Sequence, residues 1–199
     1  YPAHGIVGEE GGSERSGAEH VWILDPIDGT GPYVAGIPVF GTLIGLARAG
    51  RPLVGVADFA ATAERWVGAA GEPSTHEGRR LRCRRGLPLA AAMLSTSSPD
   101  FYDDAGWRSL RRLRERVSWA VYGGSCYAYA RLASGRIDLA VDSAMDVVDI
   151  LPLVPIIEGA GGLVTDWQGR PAHQGGRAVA AAGPEQHAAA LEILSKVAG

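Results

Sequence analysis

Two carboxylates three residues apart, Asp25 and Asp28, stand in the stretch Trp22-Ile23-Leu24-Asp25-Pro26-Ile27-Asp28-Gly29-Thr30. A single peptide carbonyl of interest, that of Ile27, lies between them. Gly29 and Thr30 follow and add a hydroxyl beside two exposed backbone amides. Hard divalent cations take such clusters of oxygen ligands, and a phosphate takes the amides. Other acids stand far off along the chain: Glu9 and Glu10 after Gly8, and Asp149 ahead of Gly159-Ala160-Gly161-Gly162. Asp-Pro-x-Asp-Gly is equally a good turn whatever its chemistry, because Asp and Gly suit turn positions. A lone Asp opening a helix is equally an ordinary cap.

These groups need elements to hold them. Trp22 to Leu24 reads as the end of a buried strand, which Asp25-Pro26 should stop, since proline has no N–H for the ladder. Gly5 to Gly8 reads as a short strand with Glu9 and Glu10 at its end. Gly11 to Glu19 is polar and glycine-rich, which predicts a flexible loop that orders with a bound ion. Gly31 to Gly36 predicts a short helical turn. Val39–Ala49 and Pro52–Phe59 form a hairpin pair around Gly50-Arg51. Glu64–Val67 and Gly78–Cys83 add strands to the same antiparallel sheet, and the arginines from Arg79 to Arg85 read as a solvated face.

Gly86-Leu87-Pro88 marks a change to alternating strands and helices. The expected organisation is an antiparallel-sheet part over residues 1–85, carrying the metal and phosphate motifs, and an α/β part over 86–199. Within the second, strands are expected at 92–95, 118–121, 137–141, 163–165 and 178–182. Helices are expected from Ser98 to about Arg116, from Gly124 through Ala133, from Asp149 to Ala160, and from Pro184 to Val197 with Leu191, Leu194 and Val197 on one stripe.

The chain has 199 residues, 46% hydrophobic and 21% charged, with a net charge of −3. That suits a globular protein and argues against a nucleic-acid partner, which calls for basic surface. No apolar run reaches membrane-spanning length, and no signal-peptide pattern opens the chain. Two cysteines, Cys83 and Cys126, make no disulfide framework, so a reducing cytoplasm is the default compartment. Five histidines show no zinc spacing.

Taken in order, Gly8-Glu9-Glu10, the Asp-Pro-Ile-Asp-Gly-Thr core, and Asp149 followed by Glu158-Gly-Ala-Gly-Gly162 resemble the inositol monophosphatase family of magnesium-dependent, lithium-sensitive phosphomonoesterases. The resemblance implies an α/β fold, a layered αβαβα sandwich. It also implies two or three Mg²⁺ ions as cofactor, a small-molecule phosphate ester as partner, and a homodimer. Glu9, Asp25 and the Ile27 carbonyl would hold one ion. Asp25, Asp28 and Asp149 would hold a second, and Glu10 would act on a third through water. Gly29 and Thr30 would bind phosphate, with Thr30, Glu9 and Asp25 as the catalytic set.

The family also implies an N-terminal, mostly helical segment ahead of Tyr1, including an aspartate that pairs with the threonine. The sequence opens without Met and without that segment. A non-catalytic homologue is therefore the second reading. The stretches Gly36–Thr42, Val121–Tyr129, Leu153–Gly162 and Thr165–Gly169 look most like the histidinol-phosphate phosphatase branch, which serves histidine biosynthesis. By that resemblance Gly123, Gly124, Ser125 and Asp142 read the alcohol, with Asp142 pairing an ammonium. A solvated strand-end role for Asp142 is the alternative. Ser125, Gly31-Pro32, Asp146 and Val148 depart from the branch pattern, which leaves inositol monophosphate or a sugar phosphate open.

Overall fold

The computed structural model describes residues 1–196. The expected place of Val197 on the last helix lies outside them. The chain forms a mixed α/β sandwich of two sheets. The first has eight strands, β1 (Gly5–Gly8), β2 (Gly12–Glu14), β3 (His20–Asp28), β4 (Gly41–Arg48), β5 (Arg51–Phe59), β6 (Glu64–Ala69), β7 (Thr75–His76) and β8 (Arg79–Arg80). Their order is β2-β1-β3-β4-β5-β6-β7-β8. All pairs are antiparallel except β1 with β3, which run parallel with Gly5 opposite Val21 and Gly8 opposite Leu24. That parallel pairing delivers Glu9 and Asp25 to one end of the sheet.

The second sheet has five strands, β9 (Met93–Thr96), β10 (Trp119–Tyr122), β11 (Leu139–Met145), β12 (Leu163–Thr165) and β13 (Gly176–Ala181), in the order β10-β9-β11-β13-β12. It is mixed: β10, β9 and β11 are parallel, and β13 runs antiparallel to both its neighbours. Among the described residues, six α-helices accompany the sheets: α1 (Thr30–Ala35), α2 (Asp104–Arg114), α3 (Ser125–Ala133), α4 (Val147–Ile150), α5 (Leu153–Gly159) and α6 (Pro184–Leu194).

One core fills the space between the sheets. It joins Leu43, Phe59 and Trp66 of the first to Ala140 and Ala180 of the second through α3 and α5. A second core lies on the far side of the five-stranded sheet, where Leu110 and Leu113 of α2 and Ala190 and Leu194 of α6 meet Leu139, Val141 and Val179. The close approach of α5 to the first sheet depends on glycine. A Cβ at Gly55 would overlap the Pro152 carbonyl, and one at Gly68 would sit 2.5 Å from the Ile156 nitrogen.

Several expectations change. β3 does not stop at Pro26; it runs on to Asp28. The ladder tolerates this by a register shift between Asp25 and Asp28 against β4, so no partner asks for the missing proline N–H. The Thr42 hydroxyl donates to the Pro26 carbonyl at 2.7 Å. The expected loop at 11–19 contains β2, paired to β1. The hairpin between β4 and β5 turns at Ala49-Gly50, both at positive φ, and not at Gly50-Arg51.

The strand expected at 78–83 shrinks to β8, and β7 lies ahead of it. The helix expected from Ser98 is a short 3₁₀ turn, Pro99–Phe101, and then α2, started afresh by Asp103, whose Oδ1 accepts from the Gly106 amide at 2.7 Å. The helix expected from Asp149 to Ala160 is two helices. Pro152 and Pro155 remove the N–H groups that would bond Val148 and Leu151, so the chain breaks between α4 and α5.

Candidate functional site

β3 and α4 bring three distant carboxylates together. Oxygens of Asp25, Asp28 and Asp149 all lie within 4.8 Å of one another. Asp25 points inward from β3 and is 1% exposed. Its Oδ1 accepts the Ile27 amide at 2.9 Å, which folds the strand end back on itself and turns the Ile27 carbonyl towards the Thr30 hydroxyl, 3.3 Å away. Asp28 accepts the Cys126 amide at 2.8 Å, tying the end of β3 to the first turn of α3.

Asp149 is not the opening residue of its helix. Asp146 is the N-cap, and Asp149 is the third helical residue, with its Oδ2 accepting the Asp146 amide at 2.7 Å. This is a capping box written with two aspartates in Asp-Val-Val-Asp, and it leaves the other oxygen of Asp149 free to face Asp25 and Asp28.

Glu9 sits in the turn after β1, its amide bonded to the Leu24 carbonyl at 3.0 Å. Its charge bears on Asp25, Asp28 and Asp149 alike, although it is more exposed than they are and stands outside the tight trio. Glu10 is exposed one position further on.

The electrostatics of the cluster are those of a place short of positive charge. Burial first, then Glu9 and Asp28, push Asp25 up to about 8. Burial, with Asp28, Asp146 and Glu9, pushes Asp149 up to about 7. Burial raises Asp28 as well. Like charges this close resist ionisation, and a divalent cation reverses that balance. The donor set is all oxygen, it converges on one point, and its members are destabilised without a cation, so the residues present fit a hard divalent ion.

Gly29 makes the next turn possible. It holds φ 82° as the residue before α1, and a side chain there would press on Ser125 Oγ at 3.2 Å and the Phe40 Cα at 3.3 Å. The amides of Gly29 and Thr30 therefore open at a helix start, where N–H groups have no intrahelical partner. Across from them, Gly123 (φ 80°) and Ser125 (φ 44°) shape the turn into α3. Gly124 packs so tightly that a Cβ would meet the Ala128 Cβ at 2.7 Å.

The two turns, Asp28 and Asp149 line a cavity of about 420 Å³ that also takes in Ser97, Phe101, Tyr129, Asp142 and the irregular end of β11 from Ser143 to Met145. Asp142 is not a solvated strand-end residue. It is 3% exposed, and its oxygens accept from the Ser97 amide (2.7 Å), the Thr96 hydroxyl (3.1 Å) and the Tyr129 hydroxyl (2.9 Å). Burial raises it to about 6 against those donors. Thr96, Ser97, Tyr129 and the Cys126 amide were not legible as site residues, because each acts across strands or helices far apart in sequence. Asp146 could have been found from the Asp-Val-Val-Asp spacing.

The inositol monophosphatase family model matches residues 1–198. The chain belongs to that family. It is 44% identical over 171 residues to the bifunctional phosphatase IMPL2, chloroplastic, of Arabidopsis thaliana, covering 85% of this chain and 49% of that protein. It is 34% identical to the histidinol-phosphatase of Mycobacterium tuberculosis, over 92% of this chain and 72% of that one. Among solved structures, an inositol monophosphatase from Zymomonas mobilis superposes with a TM-score of 0.92 at 37% identity, over 98% of this chain and 76% of that one. The chain thus spans about half the length of the plant relative. Members of this family are metal-dependent phosphatases of small-molecule phosphate esters. No described helix is long and apolar enough to cross a membrane.

Proposed function

We propose that the protein hydrolyses a small-molecule phosphate monoester with Mg²⁺, and that the ester is histidinol phosphate. The observation that carries the first half is the convergence of Asp25, Asp28 and Asp149 within 4.8 Å beside the Gly29-Thr30 turn. Asp25, Asp28, Asp149, the Ile27 carbonyl and Glu9 are the groups that would hold the ions, with Glu10 near a further one. Mg²⁺ bound there would neutralise phosphate charge and acidify a water. The chain's own groups do the rest. The Gly29 and Thr30 amides hold phosphate oxygens. The Thr30 hydroxyl, anchored at the Ile27 carbonyl, orients the attacking water, with Glu9 and Asp25 beside it.

The alcohol sits against Gly123, Gly124, Ser125 and Asp142. The lining of the cavity holds Asp28, Asp142 and Asp149 but no lysine or arginine among the described residues. Two of those acids serve the ions. Asp142 is left without a cation, which suits an alcohol that carries one, as histidinol does. The 34% identity to a histidinol-phosphatase supports the same choice. The likeness to an inositol monophosphatase supports inositol 1-phosphate as the second candidate. Both cysteines are free and buried, in keeping with a reducing, cytoplasmic setting, and we place the protein there as a homodimer.

The test is phosphate release from histidinol phosphate and inositol 1-phosphate by the full-length protein. The expected result is turnover with Mg²⁺, inhibition by Li⁺, and preference for the amino alcohol ester. Preference for the polyol ester would move the substrate assignment, and turnover of neither would overturn the phosphatase reading.

A further inference from the structure

Tyr129 is buried in α3, 1% exposed, yet it is among the residues that line the cavity. A buried hydroxyl has one hydrogen to give, and the neighbouring bonds show where each one goes. Tyr102 donates to the Val141 carbonyl at 2.7 Å, because a carbonyl can only accept. The Thr96 hydroxyl shares its single hydrogen between the Tyr102 oxygen at 2.8 Å and Asp142 Oδ1 at 3.1 Å, and the Ser97 amide donates to Oδ1 at 2.7 Å. Tyr129 gives its hydrogen to Asp142 Oδ2, with only the Met145 sulfur, 3.5 Å away, as another acceptor.

The Ser97 amide and the Tyr129 hydroxyl each give Asp142 a hydrogen, and such donors favour the ionised carboxylate against the burial that raises it. Oδ1 takes the Ser97 amide and a share of the Thr96 hydrogen. Oδ2 has one used, by Tyr129, and one directed elsewhere. Asp142 lines the cavity together with Ser143, Ala144 and Met145, where the register of β11 shifts and Ala144 adopts φ 58°.

We propose that Tyr129 is the positioning residue that sets substrate charge preference: its hydroxyl pins Asp142 so that the remaining acceptor position of Oδ2 meets a cationic group on the alcohol. Tyr129 touches neither phosphate nor ion in this arrangement and acts only through Asp142. The ligand class it selects is an amino alcohol phosphate, in contrast to a neutral polyol phosphate. This inference rests on the phosphatase reading above and adds to it the residue that decides between its two candidate esters.

The test compares wild type, Tyr129→Phe and Asp142→Asn in the full-length protein with Mg²⁺, measuring kcat and KM on histidinol phosphate and inositol 1-phosphate. Tyr129→Phe should raise KM for the amino alcohol ester by about tenfold, the size of one lost hydrogen bond to a charged group, with a smaller rise in the polyol KM, so that the preference between the two esters falls. Asp142→Asn, which keeps shape and removes charge, should abolish the preference. Equal losses on both esters, or none on either, would show a merely structural tyrosine and overturn the proposal.

Calorimetric titration with histidinol itself separates this from failure of the phosphatase reading, since it needs no turnover. If wild type hydrolyses neither ester but binds histidinol, and Tyr129→Phe weakens that binding about tenfold, the placement stands without the activity. Histidinol binding that is absent in wild type or unchanged in the variant overturns it.

Discussion

The two sheets of this molecule are buried differently, and each contributes what its burial allows. The five-stranded sheet is covered on both faces, by α3 and α5 on one side and α2 and α6 on the other. Its central strands are accordingly buried at almost every position, from Leu139 to Ser143 and from Ala178 to Ala181. The eight-stranded sheet alternates. Val21, Ile23, Leu43 and Ala47 face inward and are buried, while Trp22, Leu24, Ile44 and Leu46 on the other face stay partly exposed. α4 and α5 pack only against the inner face, over glycines 45, 55 and 68.

The acids follow this division. Asp142 comes from the doubly covered sheet and is held by three donors. Asp25 comes from the inner face of the other, at its open end, where like charges gather. Both acids are out of solvent, so what separates them is company: Asp142 has three donors around it, while Asp25 accepts one backbone amide and otherwise faces the like charges of Glu9 and Asp28.

The largest expected effect falls on the ion-seeking acid. Asp25→Asn should lower Mg²⁺-dependent phosphate release by roughly a thousandfold while the far-ultraviolet dichroism stays that of wild type. Retained turnover would detach the eight-stranded sheet from the chemistry. Next comes the seam between that sheet and α5. Gly55→Ala forces a methyl into the Pro152 carbonyl and should destabilise the fold by about 3 kcal/mol in urea unfolding, the upper end for overpacking.

The two faces can then be set against each other directly. Leu139→Ala, fully buried in the five-stranded sheet, should cost about 3 kcal/mol. Leu46→Ala on the partly exposed face should cost about 1 kcal/mol or less. Equal costs would mean that the outer face of the eight-stranded sheet is covered as thoroughly as the five-stranded sheet.

The smallest effect is on pH dependence. Asp25, pushed up to about 8, and Asp149, to about 7, hold protons in the folded metal-free protein that the unfolded chain gives up near 3.8. The folded state then binds more protons than the unfolded one across that window. Metal-free stability should therefore fall as pH rises from 3.8 towards 8. Excess Mg²⁺ should flatten the trend in thermal melts. A midpoint that rises with pH in the absence of metal would contradict the raised values.

Much of this was readable from residue order. The Asp25–Thr30 stretch, the strand β12, and α3 with its Gly-Gly entry follow from local chemistry. What escaped was decided by partners far away. Pro26 looks like a strand end until β4 is seen to skip its register there. Asp149 looks like a cap because the true cap, Asp146, is another aspartate three residues earlier. The break between α4 and α5 is a proline effect that the continuous apolar run from Ile150 to Ile157 disguised. Asp142 reads as exposed at a strand end because Thr96 and Ser97, 46 and 45 residues away, bury and bond it.

One short bond has a reach beyond its length. The Cys126 amide ends on Asp28, 98 residues upstream, and joins the turn at Gly29 to the helix that carries Tyr129. Neither loop can drift without the other, so widening the cavity between them would also displace Asp28 from Asp25 and Asp149. The deuterium uptake of that single peptide hydrogen is then a clock for the whole centre: it slows when the two halves are clasped and quickens the moment they part.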